Sequence, residues 1–242
     1  IDARGMADFA LAEDKLFNYT GDSALITAEA ARGALTTFSL GYTYEYDNRI
    51  TGLNPKGGVL LRFGQDFAGL GGDSEYIQTT ALALAETRIM NEEVTLRAIF
   101  EGGAITSMGG NVTRVTDRFF GNGKIRGFEP NGIGPRDLAA TDDDALGGNL
   151  FAVARFEADF PLGLPEEYGI TGGAFMDVGS VWSLDDDLGG TVDDSFNPRA
   201  AVGVSVFWNT PIGPLRFNFS HAVKKEDYDK EQTFDLTIST KF

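Results

Sequence analysis

The sequence predicts an all-β protein, the wall of a transmembrane antiparallel β-barrel, on three observations. Segments with a strict period of two recur along the chain, and their charges fall on one face only. Glycine and phenylalanine are abundant, at 31 and 19 of 242 residues, as barrels built from short alternating runs require. The connections alternate between short and long, which is the rim asymmetry of membrane barrels. At this length a single all-β domain needs no internal boundary, so residues 1–242 are read as one barrel domain.

Residues 2–14 form the weakest of ten candidate strands. In 34–49, Phe38, Leu40, Tyr42, Tyr44 and Tyr46 share one face, and Thr37, Ser39, Gly41, Thr43 and Glu45 share the other. Leu61, Phe63 and Phe67 oppose Arg62, Gly64 and Asp66, and the pattern continues through 74–89 and from Val94 to Phe100. In 149–160, Ala152, Ala154, Phe156, Ala158 and Phe160 face away from Arg155, Glu157 and Asp159. Segments 168–182, 199–208 and 215–221 follow, and 234–242 sets Phe234, Leu236, Ile238 and Phe242 against Asp235, Thr237, Ser239 and Lys241. A charged inward face with an apolar outward face inverts the pattern of a soluble barrel. Short connections are expected near 50–56, 90–93, 161–166 and 209–213. Longer ones are expected at 15–33, 104–146, 183–197 and 223–230, with 68–73 the exception. No helical period stands out.

Composition removes several functions. A formal charge of −16 argues against nucleic acid, since phosphate binding requires clustered Lys and Arg. The absence of cysteine excludes disulfides, thiol catalysis and thiolate metal sites. No run of 18 apolar residues exists, whereas membrane-spanning strands need only about 9 to 11 residues. The chain opens on Ile1 without a signal peptide, as expected of a processed start or a fragment.

The longest connection, 104–146, holds the stretch Lys124 to Arg136, with a cation at Arg126, an aromatic at Phe128 and closely spaced Gly and Pro. Such spacing specifies a compact folded tongue, because Pro fixes φ and Gly permits angles that other residues resist. The motif Ile125-Arg126-Gly127-Phe128, followed by Asn131-Gly-Ile-Gly-Pro135, resembles the Val-Arg-Gly-Phe loop of the BamA family of outer-membrane assembly factors. Further pieces occur in the same order: Gly147-Gly-Asn149, Glu157, Phe175-Met-Asp-Val-Gly-Ser-Val-Trp182, Gly213-Pro-Leu215, and Lys224 to Asp229 before a strand ending in Phe242.

That resemblance implies a sixteen-stranded barrel of which this chain supplies the last ten strands, with the first six and the periplasmic POTRA domains outside it. It implies that 104–146 is extracellular and folds into the lumen, where Arg126 meets Glu157, Phe175 and Asp177. A guanidinium in a partly desolvated lumen needs a carboxylate and gains from an aromatic face. It implies a seam beside the last strand, with Phe234, Leu236, Ile238 and Phe242 resembling the signal that barrel proteins present for assembly. The implied partners are unfolded outer-membrane protein clients, accessory assembly lipoproteins, and outer-membrane lipid and lipopolysaccharide. The implied location is the bacterial outer membrane, with short turns and C-terminus periplasmic. No enzyme, cofactor or metal is expected. TamA-like or two-partner-secretion translocators, a passive porin with a constricting loop and an outer-membrane enzyme are the other classes weighed.

Three constellations have plainer readings. Asp142-Asp-Asp144, Asp185-Asp-Asp187 with Gly189-Gly190, and Asp193-Asp194 lack the spacing of a dedicated calcium loop. Ser220-His221 cannot pair directly, because adjacent strand residues point to opposite faces. Paired glycines such as Gly71-Gly72 are turn chemistry.

Overall fold

A computed structural model describes residues 2–16, 19, 22–49, 57–69, 71–140, 144–186, 192–210 and 213–238. In chain order the elements are β1 (Asp2–Asp14), α1 (Ala24–Ala31), β2 (Leu35–Asp47), β3 (Gly58–Ala68), β4 (Tyr76–Ile89) and β5 (Val94–Ser107). There follow β6 (Arg136–Asp137), β7 (Asp144–Ala145), β8 (Leu150–Pro161), β9 (Ile170–Trp182), β10 (Arg199–Thr210), β11 (Gly213–Lys224) and β12 (Phe234–Ile238). Ten of the strands make one antiparallel sheet in the order β1-β2-β3-β4-β5-β8-β9-β10-β11-β12, while β6 and β7 form a separate two-stranded sheet, to which Val192 is bridged through Asp137. The sheet is open among the described residues, with β1 and β12 as its two edges.

The antiparallel order puts the connections β2–β3, β4–β5, β8–β9 and β10–β11 at one end, and the long β1–β2, β5–β8 and β9–β10 connections at the other, together with the shorter β3–β4 and β11–β12. The two faces divide by chemistry. Phe63, Phe100, Phe156, Met176, Val204, Phe219 and Leu236 are exposed on the outer face. Arg97 and Arg216 both pair with Glu157 on the inner face, which Asp177 shares. Exposed large apolar side chains in a contiguous belt are what hydrocarbon, and not water, accommodates.

The inner face is covered at the long-loop end. Ile125, Phe128 and Ile133 of the β5–β8 connection pack on Phe151, Val153, Val181, Ala201 and Ala222. Above them a second cluster joins Ile26 of α1, Leu146 and Val192. Arg114 and Glu29, both about 5% exposed or less, make an ion pair of 2.6 Å that ties α1 to the same connection.

Three boundaries differ from those read off the sequence. Residues 104–107 belong to β5 and not to the connection expected at 104–146, because Gln78 and Tyr76 of β4 continue the ladder opposite Ile105 and Ser107. β11 runs on to Lys224, so the connection expected at 223–230 begins two residues later and reaches β12 at Phe234. The helix α1 lies inside 15–33, where no helical period was visible. Its sequence Ala-Leu-Ile-Thr-Ala-Glu-Ala-Ala has strong helix formers but no apolar stripe, so propensity rather than periodicity makes it. The turn 50–56, Asp142, Asp143, Asp187, Gly189, Gly190 and Phe242 lie outside the described residues.

Candidate functional site

The site is built where β8, β9, β10 and β11 present inward residues to the tip of the β5–β8 connection. Two glycines make its shape possible. Gly127 has φ +91°, and a Cβ there would stand 3.0 Å from that of Ala201, so the tip lies directly on β10. Gly203 pairs with Phe175 across β9 and β10, and a Cβ on it would fall 2.3 Å from the Phe175 ring. The missing side chain is therefore the berth of that ring.

On this floor Arg126 is held from three directions. Its Nε donates to Asp177 Oδ2 at 2.7 Å and its Nη2 to Oδ1 at 2.5 Å, a bidentate fork. The backbone N–H of Arg126 donates to the same carboxylate at 3.0 Å. Nη1 meets Glu157 Oε1 at 2.7 Å, and the guanidinium carbon lies 3.7 Å from the Phe175 ring centroid. Asp177 is 0% exposed and the Arg126 side chain 11%. Burial works against the Arg126 charge, but the hydrogen bonds and attraction of Asp177, and then of Glu157, raise its pKa above the ordinary arginine value.

Glu157 does more than face Arg126. It also accepts from Arg97 Nη1 at 2.7 Å and Arg216 Nη2 at 3.1 Å. Arg97 in turn bonds Glu86 at 2.9 Å and reaches Asp159 at 3.4 Å. One carboxylate thus serves three guanidiniums, from β5, β11 and the loop. Beside it, Lys124 bonds Glu101 at 2.6 Å and lies 4.0 Å over Phe151, while Arg155 bonds the other oxygen of Glu101 at 3.0 Å.

The structure brings Ile125, Arg126, Gly127 and Phe128 together with Glu157, Phe175 and Asp177. It places Phe234 and Leu236 apart from them, exposed on the outer face of β12. Ile238 pairs with Leu215 along the backbone. Arg97, Arg216 and Gly203 were missed by sequence reasoning. The two arginines occupy inward positions of period-two strands, a detectable signal, whereas the role of Gly203 depends on strand register and leaves no local mark.

The acidic runs fold the loops. Asp185 accepts from the Thr113 N–H at 2.7 Å and from Asn149 Nδ2 at 2.9 Å, and Asp194 accepts from the Leu184 N–H at 2.9 Å. Among the described residues no three His, Asp or Glu side chains converge as metal ligands would. Ser220 points inward and donates to the Gln232 carbonyl at 3.1 Å, while His221 is exposed on the outer face.

Replacing Gly127 by alanine adds a methyl against Ala201 and a side chain at a left-handed φ. The expected cost is about 1–3 kcal/mol, read as a lower urea midpoint for the detergent-solubilised full-length protein. An unchanged midpoint would remove the close approach from the account.

An open antiparallel sheet, apolar outside and charged inside against a docked loop, defines the wall of an outer-membrane-type β-barrel. Comparison with known proteins agrees. The chain belongs to the Omp85 superfamily, whose domain matches residues 3–242. It is 32% identical over 241 residues to the outer membrane protein assembly factor BamA of Neorickettsia risticii, covering 100% of this chain and 32% of that protein. It is 28% identical over 149 residues to BamA of Neisseria meningitidis, covering 52% and 19%. The human sorting and assembly machinery component 50 homolog is 30% identical over 127 residues, covering 51% and 26%. Among solved structures, BamA from Haemophilus ducreyi lacking POTRA domains 1–3 superposes with a TM-score of 0.76 at 21% identity, over 86% of this chain and 43% of that one. The chain thus spans about a third or less of the curated relatives named here.

Proposed function

We propose that this chain is the membrane-embedded part of an assembly factor that folds β-barrel proteins and inserts them into the bacterial outer membrane. The observation that carries the reading is the Arg126 tip, docked on the inner face by Asp177, Glu157 and Phe175 beneath an exposed apolar outer face. Relatives over this same region are named as assembly factors in bacteria and as a sorting and assembly component in vertebrates. The work is non-covalent. A strand edge with unsatisfied N–H and C=O groups templates an incoming strand, a form of β-augmentation. Here the edge is β12, carrying Phe234, Leu236 and Ile238 beside the proposed seam, and the docked β5–β8 connection braces the wall behind it.

In this reading the long connections are extracellular, and the short turns and C-terminus are periplasmic. The partners are unfolded outer-membrane protein clients, accessory lipoproteins, and the lipid and lipopolysaccharide around the barrel. The test uses full-length protein in liposomes with a urea-unfolded barrel client. The expected result is faster appearance of protease-resistant client than in empty liposomes. Steady ion conductance without faster client folding would replace this reading with that of a porin.

A further inference from the structure

The docked tip is held from a second side, by a segment that leads straight into the last strand. The N–H of Glu129 donates to the Lys230 carbonyl at 2.9 Å, that of Lys230 to Gly132 at 3.0 Å, and that of Gln232 to Gly127 at 3.0 Å. Phe128 and Glu231 form an antiparallel bridge between them. Two residues beyond Gln232, Phe234 opens β12 opposite Phe219, and the Ser220 N–H donates to the Thr233 carbonyl at 2.9 Å. The tip and the entry to β12 therefore share one backbone strap, residues 229–233.

The strap is anchored at its other end by a fully buried ion pair. Arg199, the first residue of β10, donates through Nε and Nη2 to Asp229 at 2.9 and 3.0 Å, and the two side chains are 1% and 0% exposed. Asp229 also accepts the Glu226 N–H at 2.8 Å, closing the turn. Arg199 Nη2 bonds the Tyr228 hydroxyl at 3.2 Å, and that hydroxyl bonds Asp193 at 3.1 Å. Among the described residues no side-chain hydrogen bond or ion pair joins Arg199 or Asp229 to Arg126, Asp177 or Glu157.

We propose that Arg199 and Asp229 are positioning residues: they hold the 229–233 strap so that docking of the Arg126 tip and the register of β12 form one mechanical unit. The inference rests on the assembly reading only for its purpose, since the coupling itself is a property of the fold. Because an antiparallel ladder is shared by both its strands, loosening either side releases the other. Loss of Asp229 frees the tip without touching its arginine fork, and loss of Arg126 frees the strap without touching the Arg199–Asp229 pair.

Amide hydrogen exchange of the full-length protein in lipid nanodiscs tests this. In Asp229→Asn, the amides of Glu129 and Gln232 are expected to exchange at least tenfold faster, while β8 and β9 amides keep their protection and report an intact fold. In Arg126→Ala, the amides of Lys230 and Gln232 are expected to loosen in the same way. Unchanged exchange at Gln232 in Arg126→Ala, or at Glu129 in Asp229→Asn, overturns the coupling. Should Asp229→Asn lose β9 protection as well, Arg199→Lys replaces it, since it keeps the charge but not the fork, with the same two outcomes. Client folding is assayed separately on the same samples, so a wrong assembly reading with correct coupling shows as loosened amides in a protein that never stimulated folding.

Discussion

Asp177→Ala is expected to undock the long loop. The substitution leaves the Arg126 guanidinium in a buried pocket with Glu157 as its remaining carboxylate and removes three hydrogen bonds at once, two from the side chain and one from the backbone. Breaking a buried pair by deleting one member costs about 3–5 kcal/mol, because the survivor is left desolvated. At about 1.4 kcal/mol per tenfold, 3 kcal/mol raises the undocked population roughly a hundredfold. Limited trypsin digestion of the full-length protein reads this directly, since Lys124 and Arg126 are both cleavable once the tip is free. Cleavage there is expected to accelerate by at least tenfold, with Asp177→Asn intermediate. Wild-type resistance in Asp177→Ala would mean that the apolar contacts of Ile125 and Phe128 hold the loop unaided.

Glu157→Leu is expected to lower stability by a comparable amount for a different reason. Arg126 keeps Asp177, and Arg97 keeps Glu86 and Asp159, but Arg216 loses its one carboxylate partner among the described residues and retains Asn218 at 2.8 Å. Three guanidiniums then converge without the charge that held them together, at an expected cost of about 3 kcal/mol. Adding Arg216→Met replaces a stranded cation by an apolar side chain and should recover part of the loss. The urea midpoints of wild type, both single variants and the double variant form the cycle. Strict additivity would show that Glu157 and Arg216 act independently and would sink the shared-carboxylate account.

The strands were legible because each is solvated by two different media, so period two survives in the sequence. Even β1, the weakest candidate, pairs with β2 along its full length, from Asp2 opposite Asp47 to Asp14 opposite Leu35. What local pattern could not show was anything decided by a distant segment. β5 extends past Gly102-Gly103 because β4 is there to continue the ladder, and α1 exists without an amphipathic stripe. The motif around Arg126 and its placement near Asp177 followed from resemblance. The sharing of Glu157 by Arg97 and Arg216, and the berth that Gly203 makes for Phe175, depend on which residues the register sets opposite one another. The purpose of the Lys224 to Asp229 run was equally hidden, since Asp229 answers to an arginine thirty residues earlier.

The carboxylate shared by three arginines also polices how the strands slide. Inward residues of β8 run Arg155, Glu157, Asp159, and the present register sets Glu157 opposite Arg97 of β5. A slip of two residues preserves which side chains face inward, so the apolar pattern alone cannot resist it. In one direction that slip would bring Arg155 opposite Arg97, setting cation beside cation and leaving Arg97 with Glu86 in place of Glu157. In the other it would bring Asp159, which Arg97 already reaches at 3.4 Å. The wall is therefore a ratchet, forbidding displacement one way by repulsion and tolerating it the other by a shorter acid.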